Sequence, residues 1–587
     1  MRHSHDGPEH SHGPGADHTD HTHDTIDLSV FAPLATDLSV PDHELSPSEL
    51  GRRGFLRRAG LLGATAAAVS VFAEAGPAAA STASTASPMP TPARPPTGQY
   101  HWLAGDHHIH TQHSSDAQYR VADQVQHGSA FGLDWMVITD HGSLTHARLG
   151  VEKVNPDIVD ARNRFKDRTL VFQGLEWNIP AAEHGTVFVH PGKNEVAVLK
   201  EFENGFDGVV NGWGASTSDN ERHALEGLDF LAASVSSKRV SDAAFFANHP
   251  ARKGLDSPHE IRGWRTRQPR IALGMEGAPG HQAAGIKAPL GAGSGRGFYD
   301  NSPTADSFAA YPLESYITYG GFDWMTSTVG GLWDSLLAEG QPWWITANSD
   351  SHTIYLDDSV RGGAGTQAEF DANGRYLDPV HGTAGPKATN GDFWPGYYSK
   401  THVGAEDFTY AAVMEGLRAG RIYVDHGGLT RSVDVTVRPR GSAAPGTPLG
   451  SVRSVTKGER LELQVTVGAA NLPNWAQFVP KLARIDVIRG GVTGLASDTD
   501  TFSAPATKVV YQRDVSRAGD RIAFTYDLGP ASEPFYVRVR GTDGNRGAVG
   551  LGGASVDPMG PAADVQGDAD PWADLWFYTN PIWVLPR

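Results

Sequence analysis

At 587 residues the chain is too long for one compact core, so several units are expected. Its 67 acidic and 49 basic residues leave a formal charge of -18, which argues against nucleic acid or an anionic membrane face as main partner. The absence of cysteine excludes disulfides, thiolate zinc sites, iron–sulfur clusters and a cysteine nucleophile, leaving His, Asp and Glu to hold any metal.

Residues 1–50 carry His3, His5, His10, His12, His18, His21 and His23 among Asp, Gly, Ser and Pro without helical or strand period, and are expected to be disordered. Two roles stay open for them, weak metal capture and plain solubilisation. Residues 51–80, with Arg52 and Arg53 side by side, an apolar run to Ala73 and small residues at Ala78 to Ala80, resemble a twin-arginine export signal. The apolar run, about 15 residues, falls short of the roughly 20 that span a bilayer, so a signal is expected rather than an anchor. Export by that machinery predicts an extracellular, cell-surface or periplasmic location. Residues 81–99 form a Ser/Thr/Pro linker.

From Tyr100 onward, apolar runs of strand length end in polar residues: HWLAGDHHIH, LDWMVITDH, TLVFQGLEW, GTVFVHP, AAFFANHP, RIALGMEG and PWWITANSDSH. Helix-length segments lie between them, such as Val121 to Phe131 and Val154 to Phe165. This α/β pattern predicts a parallel sheet covered by helices. Reactive residues at the carboxyl ends of successive strands favour a β/α barrel, with an open doubly wound sheet as the alternative. AAVMEGLRAGRIYVDHGG reads as a closing helix and strand, giving a unit over 100–430. Beyond it, SVDVTVRP, RLELQVTVGA, ARIDVIRGG, KVVYQRDV, RIAFTYDLG and FYVRVRGTDG alternate apolar with polar residues, which predicts an antiparallel β-sandwich over 431–587. Its aromatic-rich end, Trp572 to Trp583, is expected to pack against the first unit, with carbohydrate binding as the weaker alternative.

Histidine is common here, 26 of 587 residues, so one HxH pair means little. His108 and His110 alternate on an extended segment, however, which puts both imidazoles on one face. Other strand ends add Asp140, His141, Glu176, His184, His249, Asp350 and His352. Imidazoles and carboxylates buried at apolar strand tips cost several kcal/mol unless paired or bound to metal, and so many together point to a metal site.

DHHIHTQHSSD, VITDHG, GLEW, ANHP and ANSDSH, in that order from Tyr100 to Gly428, resemble the motifs of the PHP (polymerase and histidinol phosphatase) family. The resemblance implies a distorted (β/α)7 barrel with a site for two or three divalent cations. It implies His108, His110 and Asp350 on one, Glu176 bridging to a second with His184 and His249, and Asp116, His141 and His352 on a third. The family's usual spacing would put an Asp at Ser115; Asp116 is taken as the ligand, with His113 as substitute. His190 competes with His184 on the fourth strand. This donor mixture suits Zn, Mn or Fe.

Closely spaced cations would make water reactive near neutral pH and neutralise charge on the reacting oxygens. Asp140 or a ligand carboxylate is expected to shuttle the proton. Arg252 and His281 are the candidates to bind substrate oxygens. The expected function is an exported metal-dependent phosphoesterase acting on phosphate mono- or diesters. GLEW, EGAPGHQ and the terminal NPIWV also resemble a PHP subgroup with carbamate and aryl-ester hydrolases, which keeps a carbonyl substrate open. A non-catalytic metal-scavenging or surface-binding protein is the third reading.

Overall fold

The structure, a computed structural model, describes residues 100–299, 302–544 and 570–587. The His-rich segment, the export signal and the linker lie outside these residues. Among the described residues no helix is long and apolar enough to cross a membrane.

Strands β1 (His101–Asp106), β2 (Trp135–Ile138), β3 (Leu170–Asn178), β4 (His184–Val189), β5 (Ala243–Ala247), β6 (Ala272–Ala278) and β7 (Trp344–Ala347) lie side by side in chain order. Their unbroken apolar runs are buried on both faces. The longer helices between them are α1 (Val121–Ala130), α2 (Val151–Phe165), α3 (Glu195–Phe206), α4 (Ser218–Ser236), α5 (Pro258–Arg267) and α6 (Leu332–Ala338). In α2 the buried residues Val151, Val154, Ile158, Ala161 and Phe165 recur at helical spacing, one stripe facing the sheet. Ser257 and Glu260 cap the start of α5 reciprocally, with Pro258 in its first turn.

Two departures from the sequence reading bear on the site. The sheet is mixed, not parallel throughout, because β4 runs antiparallel to both β3 and β5. β1 ends at Asp106, so His108 and His110 lie beyond it in extended chain. There Ile109 makes an isolated parallel bridge with Ser351, just past β7. Asp350 donates its N–H to the His108 carbonyl at 2.9 Å, and His110 donates to Ser351 at 3.2 Å. The first and last strands of the series are thus joined at their carboxyl ends.

The antiparallel strands β8 (Ser399–Ala405) and β9 (Ile422–His426), connected through α7 (Tyr410–Arg418), extend the sheet on the free side of β1. β9 pairs in turn with Trp576–Thr579, so one sheet runs on into the C-terminal strands. Thr430–Pro439, Arg460–Ala469 and Arg521–Pro530 form a separate antiparallel sheet with Thr447–Pro448. Valines and leucines of that sheet share an apolar cluster with Ile485, Val487, Val537, Val539 and Phe577 of the main sheet. Asp334 of α6 accepts two hydrogen bonds from the fully buried Arg538 guanidinium, at 2.9 and 2.7 Å, which fastens the two halves together. Asn580 adds a side-chain bond from the Ile345 N–H at 3.0 Å on the outer edge of β7.

Candidate metal centre

The reversal of β4 decides which of its histidines reaches the strand ends. His184 stands at the start of β4, next to the end of β3, whereas His190 leaves at the far end and bonds the Pro191 carbonyl. The conformation of three other residues is equally specific. His249, His281 and Asp350 hold left-handed backbone, with φ of 31°, 53° and 46°. Non-glycine residues adopt it at a cost of about 1–3 kcal/mol, and such strain gathers at functional sites. Gly280 makes room for the last of them, since a Cβ there would lie 2.2 Å from Asp350 Cβ.

Glu176 is the hub. Its carboxylate lies 2.9 Å from His108 Nε2, 2.6 Å from His141 Nδ1, 3.2 Å from His184 Nδ1 and 3.4 Å from His249 Nε2. Asp350 Oδ1 lies 3.1 Å from both His108 Nε2 and His110 Nε2. Asp116 reaches His141 at 3.0 Å and His352 at 3.5 Å, and those two imidazoles approach to 3.2 Å. All nine residues expected to hold metal therefore meet at one place. Exposure grades outward: His108, His110, Glu176 and Asp350 are buried, while Asp116 keeps half its side chain in water. Seven of the nine, all but His108 and His110, line a cavity of about 320 Å³ shared with Arg252, His281, Phe298 and Asp392.

A ring of further residues orients these groups. Glu276 accepts from His108 Nδ1 at 2.8 Å and from the His249 N–H at 2.8 Å, leaving His108 Nε2 directed at the hub. Asp106 accepts the N–H groups of His108 and Ser349, while burial pushes its carboxyl up to about 7. Asn248 donates to Glu176 Oε1 at 3.0 Å. Asp392 accepts from His281 Nδ1 at 2.5 Å and from the N–H groups of His352 and Thr353. Glu183 joins His184 and His249 as another donor set. Sequence reasoning missed all five. Glu276 had a signal, since GMEG ends its strand as GLEW does; Asp392, in an irregular segment, had none.

The proton-shuttle role expected of Asp140 does not fit its position. Its carboxylate is buried outside the cavity lining and accepts from the Thr111 N–H, the Thr111 hydroxyl and the Ser114 hydroxyl. Ser114 in turn accepts from His110 Nδ1 at 3.0 Å, so Asp140 orients His110 at one remove. His113, the substitute for Asp116, turns to Asp157 of α2. Arg252 does line the cavity, with Nη2 3.4 Å from Glu183. His281 is there too, but both its nitrogens face carboxylates, Nε2 lying 2.9 Å from Asp350 Oδ2.

Burial opposes charge on all of these groups, and their neighbours decide the outcome. Asp350, Glu176 and Glu276 hold His108 well above the usual imidazole range. Surrounding imidazoles hold Glu176 and Asp350 well below the usual carboxylate range. Burial and the nearby Arg252 guanidinium push His249 down to about 3. The carboxylates are thus kept ionised, the form that binds cations.

Those directions describe the protein groups alone, and hydrogen bonding leaves several of them unanswered. His110 Nε2, Glu176 Oε2, His184 Nδ1, His249 Nδ1 and Asp350 Oδ1 are buried without a hydrogen-bond partner. An unmet buried polar atom costs about 1–3 kcal/mol. Here they converge in sets whose ligand atoms lie within 4.8 Å of one another, including His108/His110/Asp350, His110/His141/His352 and His141/Glu176/His184. Nitrogen and carboxylate oxygens so arranged fit divalent cations.

Comparison with known proteins finds similarity over part of the chain. Residues 106–253 match the PHP domain. A solved structure described as a two-domain protein containing a predicted PHP-like metal-dependent phosphoesterase, from Bacteroides vulgatus, is 13% identical with a TM-score of 0.28, over 81% of this chain and 98% of that one. No curated protein matches.

Proposed function

We propose that this chain, which carries a PHP domain over residues 106–253, is an exported metal-dependent phosphoesterase acting on phosphate mono- or diesters. The observation that carries the reading is the convergence of His108, His110, His141, His184 and His249 on the Glu176 carboxylate. We read β1 to β7 as a distorted barrel with its site at the carboxyl ends, and the strands after residue 430 as a sandwich docked beside it. Arg52 and Arg53 support export.

The residues would act as follows. His108, His110, Glu176 and Asp350 form the inner ligand set, Glu176 with His184 and His249 the second, and Asp116, His141 and His352 the outer one. Two or three divalent cations held there, with Zn, Mn and Fe the candidates, would supply Lewis acidity and offset charge on the reacting oxygens. Arg252 presents its guanidinium to a substrate oxygen, oriented by Glu183. With Asp140 committed to Thr111 and Ser114, the proton acceptor is a carboxylate of the ligand sets, and Asp116 is the one open to water.

A carbonyl substrate is the second reading. Glu183 pairs with both Arg252 and Lys253, at 3.4 and 3.0 Å, which reduces the positive charge offered to a phosphate. The two readings separate when metal-loaded protein is assayed with p-nitrophenyl phosphate, bis-p-nitrophenyl phosphate and naphthyl carbamates, alongside elemental analysis. Turnover of a phosphate compound with at least one bound cation supports the first reading. Loss of all phosphate turnover with carbamate hydrolysis retained replaces it with the second.

A further inference from the structure

Asp116 is the most exposed of the nine metal-seeking residues, with 53% of its side chain open to water, and its carboxylate meets His141 and His352. A side chain so open has several rotamers within reach, so its direction depends on how firmly the backbone beneath it is held.

That backbone is held from far along the chain. Arg361 donates from Nη2 to the Ser115 carbonyl at 2.8 Å and from Nε to the Ala117 carbonyl at 3.1 Å, so one guanidinium grips the carbonyls on either side of Asp116. Tyr376 donates its hydroxyl to the same Ser115 carbonyl at 2.8 Å, and the Arg361 guanidinium lies over its ring, 4.0 Å from the centroid. Both residues belong to an insert between β7 and β8 in which Ser359–Gly362 pairs with Leu377–His381. The insert also holds both ends of the loop that carries Asp116. The Tyr376 N–H donates to the Gln112 carbonyl at 2.8 Å, and Tyr119 donates its hydroxyl to Asp357 at 2.7 Å. Tyr376 is itself buried against Phe370, with ring centroids 5.1 Å apart. The rigid, planar fork of an arginine suits two fixed carbonyls, and stacking on the tyrosine holds that fork in place.

We propose that Arg361 and Tyr376 are positioning residues that aim Asp116 at a cation shared with His141 and His352, so that the insert sets occupancy of the outermost position and leaves the inner ones alone. This rests on the metal-centre reading of the site. Loss of such supporting partners lowers metal affinity about 10–100-fold.

Stepwise titration of the chelator-treated full chain with Co²⁺, read by calorimetry and visible absorption, tests it. The seven histidines of residues 1–50 contribute alike to every variant and cancel in the comparison. Asp116→Asn marks the step that belongs to the outermost cation. Arg361→Ala is expected to weaken that step about 10–100-fold and Tyr376→Phe about two- to tenfold, with the tighter steps unchanged. Added to Asp116→Asn, Arg361→Ala should have no further effect, because it acts through that carboxylate. Arg375→Ala, on the same insert but paired with Asp378, should bind as the wild type does. Wild-type binding by Arg361→Ala, equal weakening of every step, or an additive loss in the double variant overturns the proposal. Should Arg361→Ala not fold, the Tyr376→Phe titration decides by the same criteria. Glu176→Gln binding Co²⁺ as the wild type does would overturn the metal-centre reading itself, and the clamp with it.

Discussion

Asp350 meets His108 twice, through its backbone N–H on the His108 carbonyl at 2.9 Å and through Oδ1 at 3.1 Å from the imidazole Nε2. One contact fixes the register of two chain segments and the other sets a ligand pair, so local folding and the metal site depend on the same few atoms. Glu176 completes that pair. Glu176→Gln keeps the shape but removes the charge five imidazoles face, and is expected to lower cation content and reduce turnover at least about a hundredfold. Elemental analysis of the purified variant, with circular dichroism to check its fold, decides this; full cation content would contradict it.

Ser114 and Asp140 orient His110 without touching the cavity. Ser114→Ala and Asp140→Asn should each weaken metal affinity about 10–100-fold, and saturating metal should recover most activity. The shape of the pH–rate profile should stay the same. Loss of one limb of that profile in Asp140→Asn would return Asp140 to the role of proton shuttle.

The two histidines of β4 make a matched control. His184→Ala should lose one cation by elemental analysis, because its Nδ1 lies 3.2 Å from Glu176. His190→Ala, at the opposite end of the strand, should keep the wild-type metal content.

Burial pushes the Glu260 carboxyl up to about 7, against the opposing hydrogen bonds from Ser257. A carboxyl raised above its unfolded value of about 4.3 favours folding in its protonated form, so its contribution is present below that pH and fades as pH rises towards 7. At about 1.4 kcal/mol per unit, the loss is on the order of a few kcal/mol. Urea denaturation at pH 5 and pH 7.5 should therefore show Glu260→Gln gaining on the wild type at the higher pH. An unchanged difference between the two would refute the assignment.

Asp334 and Arg538 couple the two halves of the molecule through a fully buried pair. Arg538→Met leaves a carboxylate buried without its partner and should cost about 3–5 kcal/mol. Asp334→Leu combined with Arg538→Met should recover most of that loss in thermal denaturation, since two apolar groups need no counter-charge.

The α/β pattern, most element positions and the nine metal-seeking residues were legible in the sequence. Strand periodicity and polar strand ends are local properties. They follow from which side chains tolerate burial in a pleated sheet, and HxH spacing puts two rings on one face wherever the chain is extended. The Thr430–Pro439 and Arg460–Ala469 strands were readable for the same reason, their apolar residues alternating with polar ones.

Only the tertiary structure decided what each polar residue faces. The reversal of β4 selects His184 over His190, although both flank the same apolar run. Asp140 and His141 are adjacent, yet one turns to Thr111 and Ser114 while the other reaches Glu176. Glu276, Asn248 and Asp392 become part of the site through contacts made across the sheet. Burial and strand propensity act along the chain, whereas hydrogen-bond geometry acts between segments. Residue order alone does not determine their register or direction.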